Sequence, residues 1–89
     1  MDSEIRGGVL CLSGDITVKT VDEAALRRLR RLIGQKPAEA DLSAVGRADS
    51  ACLCLLLEIL RGSGGQLRGI PAAVRDLADL YEVREWMNL

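Results

Sequence analysis

Apolar and polar positions change period several times along this chain. Ile5 and the compact run Val9-Leu10-Cys11-Leu12 flank Gly7-Gly8, and Ser13-Gly14 follows, which predicts two short strands joined by a tight turn. From Val21 the period becomes helical: Val21, Ala25, Leu29, Leu32 and Ile33 share one face. Thr20 and Glu23 have capping-box spacing, in which each side chain satisfies the other's unpaired N–H. Gly34 ends that helix and Pro37 stops it from continuing. Ala38 to Leu42 reads as the next strand, and the polar stretch from Ser43 to Asp49 reads as a tight turn. A second helix is expected over 50–61, ended by Gly62-Ser63-Gly64-Gly65. Gln66 to Ile70 is a third core strand, and Pro71 suits the first position of a helix with Val74, Leu77, Ala78 and Tyr81 on its apolar face. Strands alternate with helices after the first hairpin. The expectation is therefore one α/β domain over residues 1–89, a small mixed sheet flanked by helices, without repeats or linkers.

The second helix departs from the usual amphipathic pattern. Steps of about 100° put Leu53, Leu56, Leu57 and Leu60 on one side, with Cys52 and Ile59 flanking. The other side holds Ala51, Cys54, Leu55, Glu58 and Arg61, beneath Ser50. That side is small and apolar where a solvent face is normally charged. Either the helix is buried on both sides, or this is a flat docking face with Glu58 and Arg61 as a polar rim. Ser50 is expected at the N-cap, where its oxygen accepts a helix N–H while its hydroxyl stays near the surface. Asp41 and Asp49 bracket the turn before it and are expected to bond local backbone N–H groups.

Composition narrows the function. With 12 basic and 13 acidic side chains the charges almost cancel, so no global field draws the chain to nucleic acid or an anionic membrane. Arg27, Arg28, Arg30 and Arg31 cluster opposite the first helix's core face and read as a solvated surface. Trp86, in the tail from Arg84 to Leu89, is expected to cover the edge of the small core. The three cysteines, Cys11, Cys52 and Cys54, are expected as reduced, buried thiols, since no secretory leader pattern is seen. There is no histidine, which excludes a mixed Cys/His metal site and removes the usual base for a serine nucleophile. Gly62-Ser63-Gly64-Gly65 lacks the Lys-Ser/Thr of a phosphate loop. No apolar run reaches the roughly 18 residues needed to span a bilayer. Neither an enzyme nor a cofactor or metal is expected.

Four segments carry a family resemblance. They are Leu12-Ser13-Gly14-Asp15, Asp41-Leu42-Ser43, Asp49-Ser50-Ala51-Cys52-Leu53 and Gly64-Gly65-Gln66-Leu67. Together they resemble the STAS domain, the module of anti-sigma-factor antagonists and of some transporter subunits. Asp49 to Glu58 and Leu77-Ala78-Asp79-Leu80-Tyr81-Glu82-Val83 are similar to the branch found as the small subunit of the Mla ABC phospholipid transporter of Gram-negative bacteria. Cys52 stands where the family usually has glycine, so the backbone there must be helical and unstrained. The resemblance implies a cytoplasmic, non-catalytic subunit held at the inner membrane by a transporter ATPase, within a complex that includes a permease and a substrate-binding subunit. Its partner face would include Ser50, Ala51, Cys54, Leu55, Glu58 and Arg61. The alternative it implies is an anti-sigma-factor antagonist whose Ser50 is phosphorylated by an anti-sigma kinase.

Overall fold

The computed structural model describes residues 1–63 and 66–85. In chain order these residues form β1 (Asp2–Arg6), β2 (Val9–Ile16), α1 (Glu23–Ile33), β3 (Glu39–Ala48), α2 (Ser50–Ser63), β4 (Gln66–Arg68) and α3 (Ala72–Leu80). Trp86, expected over the core edge, and Gly64-Gly65 lie outside the described residues.

The hairpin is where the sequence places it. β1 runs antiparallel to β2, with Asp2 opposite Ser13 and Arg6 opposite Val9. Gly7 and Gly8 between them have φ of +54° and +79°. A two-residue hairpin turn that matches strand twist needs positive φ at both positions, which glycine adopts without a Cβ clash. β3 then pairs in parallel with both β2 and β4, giving a mixed sheet in the order β1-β2-β3-β4.

Alternation along the central strands decides where the helices go. Leu10, Leu12 and Ile16 of β2 and Ala40, Leu42 and Val45 of β3 are buried in one cluster with Leu29 of α1, Leu56 of α2 and Val74 of α3. All three helices therefore lie on one face of the sheet, α1 against β1 and α2, and α2 against β3 and α3. The opposite face stays open to solvent, as mixed and antiparallel sheets permit. It carries charges that answer one another: Arg68 pairs with Glu39 at 2.9 Å and with Asp41 at 3.6 Å, and Arg6 pairs with Glu4.

The stretch expected as a polar turn, Ser43 to Asp49, is instead mostly strand, since β3 continues to Ala48. Two bulges explain the difference. Cys11 and Ser13 of β2 face Asp41 and Ala44 of β3, and Gly14 and Ile16 face Val45 and Ala48, so β3 carries an extra residue at each place. Each bulge moves the inward phase on by one, from Leu42 to Val45 and then to Ala48. Strict alternation is lost, and the polar residues in between imitate a loop.

Carboxylates satisfy the backbone at both bulges. Asp41 Oδ1 accepts the Ser43 N–H at 2.9 Å, and Asp15 Oδ1 accepts the Arg47 N–H across the sheet at 2.8 Å. The Ser43 N–H, aided by the Ser43 hydroxyl, holds the Asp41 carboxyl below its ordinary 3.8. Asp15 approaches so closely that a Cβ on Gly46 would stand 2.6 Å from its Oδ1, so a larger residue there would displace the carboxylate from its place.

Helix starts differ from expectation in detail. Asp22, not Thr20, caps α1: its Oδ1 accepts the Ala25 N–H at 2.8 Å. The Thr20 hydroxyl is already used, accepting from Thr17 N–H at 2.9 Å and donating to the Asp15 carbonyl at 2.7 Å. Pro71 is the N-cap of α3 rather than its first residue, and β4 stops at Arg68. Tyr81, expected on the apolar face of the last helix, is 54% exposed just past its end.

Leu56 is fully buried at the centre of this layer. Leu56→Ala deletes buried methylenes and leaves a cavity, so it should lower the unfolding free energy by about 2–5 kcal/mol in urea titration.

Candidate functional site

The start of α2 is organised by Asp49. Its N–H donates to the Ile16 carbonyl at 3.2 Å, continuing the sheet for one more bond. Its Oδ1 accepts the Ala51 N–H at 2.9 Å and its Oδ2 accepts the Val18 N–H at 3.0 Å. Its carbonyl takes the Cys52 N–H at 2.9 Å. Asp49 is thus the capping residue, and the expectation that Ser50 fills that role is corrected. A carboxylate has acceptors to spare for both the helix and the neighbouring loop, whereas one hydroxyl does not. Ser50 becomes the first residue of α2, and its side chain is exposed.

The rotation of α2 about its axis also differs from expectation. Cys52, Leu53, Leu55, Leu56 and Ile59 are buried, Leu57 and Leu60 half-buried, and Ser50, Cys54 and Arg61 exposed. Leu55, expected on the partner face, is only 3% exposed and belongs to the core. Burial of Cys52, Leu53, Leu55, Leu56 and Ile59 against the sheet and its neighbouring helices sets the rotation. The flank of α2 bearing Ala51, Leu55 and Glu58 faces α1, where Arg30 donates through Nε to Glu58 Oε1 at 2.6 Å. An exposed ion pair of this kind contributes at most about 1 kcal/mol. Leu55 falls on the inner edge of that flank. Leu57, expected in the core, moves to the opposite rim. The outward face that remains is narrow: Ser50, Cys54 and Arg61 along its crest, with Ala51 and Glu58 half-buried on the α1 side.

The other expected features sort by their contacts. Of the basic cluster on α1, Arg27 pairs with Glu23 at 3.6 Å, Arg28 Nε donates to the Ser3 carbonyl at 2.8 Å, and Arg30 holds Glu58. It is a solvated face that also ties α1 to β1 and α2. Asp41 and Asp49 do bond local backbone, as expected. The cysteines are all free, but not all buried: Cys52 is buried, Cys11 half-buried on the open sheet face, and Cys54 exposed on α2. Burial, followed by the nearby Asp49 charge, pushes the Cys52 thiol up to about 11.

One part of the surface has no signal in the periodicity. The loop from Thr17 to Thr20 packs beside Asp49 and Arg47 and encloses a shallow depression of about 340 Å³, lined in part by Val18, Lys19, Arg47 and Asp49. It sits beside Ser50, at the C-terminal ends of β2 and β3. Its residues are too few and too mixed to show a period; the cue lies in Asp15 and Asp49, which reach it only once β2 and β3 pair. Among the described residues, no group of three or more His, Cys, Asp or Glu could hold a metal ion, and no helix is long and apolar enough to cross a membrane.

Comparison with known families matches residues 2–88 to the model described as Mlab, STAS domain. No curated protein matches the sequence.

Two measurements test the geometry at the start of α2. Asp49→Ala removes a side-chain cap and should destabilise the fold by about 1 kcal/mol in urea titration. Ser50→Ala, which removes no cap, should stay within about 0.5 kcal/mol of the parent. Iodoacetamide applied to the native protein near neutral pH should modify Cys54 well before Cys52, as read by peptide mass spectrometry, because only the former thiol is exposed.

Proposed function

Because the chain belongs to the MlaB-type STAS domain family, we propose that it is the small subunit that docks on, and regulates, the ATPase of an ABC transporter for phospholipids. Domains of this family are generally non-catalytic regulatory modules, and the MlaB description points to a transporter subunit. The ATPase would be MlaF-like, joined in the complex by a permease and a substrate-binding subunit. The cargo would be phospholipid moved to maintain outer-membrane asymmetry. In this reading the chain sits on the cytoplasmic side of the inner membrane and is held there only by its partner.

The observation that supports docking is the crest of α2. Ser50, Cys54 and Arg61 are exposed along one line, with Ala51, Leu57 and Glu58 at the rims. Small side chains there allow close approach. Behind them Cys52, Leu53, Leu55, Leu56 and Ile59 are packed into the core, so the crest is stiff before any partner arrives. A pre-formed surface loses little conformational entropy on binding. Such docking regulates the ATPase only if one ATPase conformation fits the crest better than another, since a subunit that binds both equally shifts neither.

Ser50→Arg tests the assignment. The bulky cation should abolish co-purification with the ATPase subunit while the variant's thermal midpoint stays that of the parent. The parent should change the ATP turnover of the ATPase subunit while hydrolysing none alone. Unimpaired co-purification of the Ser50→Arg variant would remove the crest from the interface.

A further inference from the structure

We propose that the outer edge of β1 pairs with β1 of a second copy of this chain, and that Arg28 keeps this edge covered in the single chain. α1 packs against both β1 and α2, so the crest of α2 takes no part and the pairing stands or falls apart from the docking role.

β1 ends the sheet, with β2 on one side and no strand on the other. The hairpin turn has two residues, so the pair that flanks it, Arg6 and Val9, exchanges backbone hydrogen bonds. Alternation then makes Glu4–Cys11 and Asp2–Ser13 bonded pairs as well, and it turns the N–H and C=O groups of Ser3 and Ile5 outward. A row of such groups is a template for another strand. Here one of them is taken: Arg28 Nε of α1 donates to the Ser3 carbonyl at 2.8 Å, and Ser3 is only 5% exposed. The cover is light. Arg30 grips Glu58, but Arg28 forms no ion pair among the described residues. Asp2 and Glu4 line the shallow depression beside Arg28, so a displaced guanidinium meets carboxylates.

The edge is complementary to itself. Two β1 strands, antiparallel about a twofold axis, can set Ser3 opposite Ile5 twice, which uses every outward group of both strands. Asp2 then stands opposite Arg6 at both ends. The one like-charge contact is at Glu4, whose charge Arg6 of its own strand already answers. Other registers are worse. A slip of two residues one way sets Asp2 opposite Glu4 twice. The opposite slip sets Ser3 against Gly7, whose φ of +54° takes it out of the strand. In the favoured register the second strand's Ile5 N–H needs the Ser3 carbonyl, so Arg28 must leave before the strands join.

Sedimentation velocity of the full chain reads the pairing, in reductant so that the exposed Cys54 forms no cross-link. Arg28→Ala should dimerise roughly tenfold or more tightly than the parent, because a charge-assisted hydrogen bond no longer competes. Hydrogen exchange in that dimer should slow at Ser3 and Ile5 and not along α2. Arg28→Ala/Asp2→Arg and Arg28→Ala/Arg6→Asp should each dimerise poorly alone, where like charges meet, and pair with each other when mixed. Thermal melts check that each variant is folded. If Arg28→Ala does not fold, Arg28→Lys, which keeps the charge but loses the Nε donor, should show a smaller gain in the same direction. An Arg28 variant that stays monomeric wherever the parent does would overturn the proposal, as would a parent that dimerises as tightly as the variant. A dimer protected elsewhere than β1, or charge variants that pair as well alone as when mixed, would overturn the self-paired edge.

Discussion

Asp49 ties the end of β2 and its loop to the start of α2. Its backbone N–H extends the sheet to Ile16, one carboxylate oxygen caps α2 and the other fixes the loop at Val18. Two segments distant in sequence, the end of β2 with its loop and the start of α2, meet on one residue, at the point where the central strand hands over to the central helix. Helix N-termini leave unpaired N–H groups that something must satisfy. By meeting that demand with a carboxylate rather than with Ser50, the chain leaves the serine side chain exposed on the crest. The local energetics of a cap thus decide which side chain stands exposed at the start of α2.

The strand leading to Asp49 has its own constraint. β3 is paired on both sides, yet its two bulges break the register against β2. Asp41 and Asp15 absorb backbone N–H groups at those bulges, and Gly46 makes room for Asp15. Bulges re-aim the residues that follow them. Here they carry the chain from Leu42, in the core, to Arg47 and Asp49 at the end of the sheet where the loop after β2 also emerges.

The period of apolar residues was enough to read the hairpin, the helices and the mixed sheet. Val9-Leu10-Cys11-Leu12 and Val21 to Ile33 have clear patterns with clear stops. Structure departs from pattern where a local rule has a competitor. Thr20 and Asp22 both qualify as caps, and the winner depends on Thr20 being used by its own loop. Ser43 to Asp49 looks like a turn because bulges destroy alternation. Leu55 looks exposed because α2 is apolar on most of its circumference, so periodicity alone does not fix its rotation. That rotation is set by tertiary contacts, the packing of Cys52, Leu53, Leu55, Leu56 and Ile59 into a core built from residues far apart in sequence. The family was legible from short motifs near Asp15, Asp41 and Ser50. The loop at Val18 was not, because its placement depends on hydrogen bonds made only after the sheet forms.

A two-layer domain with one helical face and one open, charge-paired sheet face offers two very different surfaces. The proposed docking role puts the partner at the end of the helical layer, on the crest of α2, and leaves the open sheet face in solvent. Hydrogen exchange of the chain, alone and with the proposed ATPase partner, separates these surfaces most directly, because amides covered by a partner open to solvent less often. Docking on the crest predicts slowed exchange across the first turns of α2, with β1 and β4 unchanged. Protection of β1 and β4, with the start of α2 exchanging as in the free chain, would contradict it.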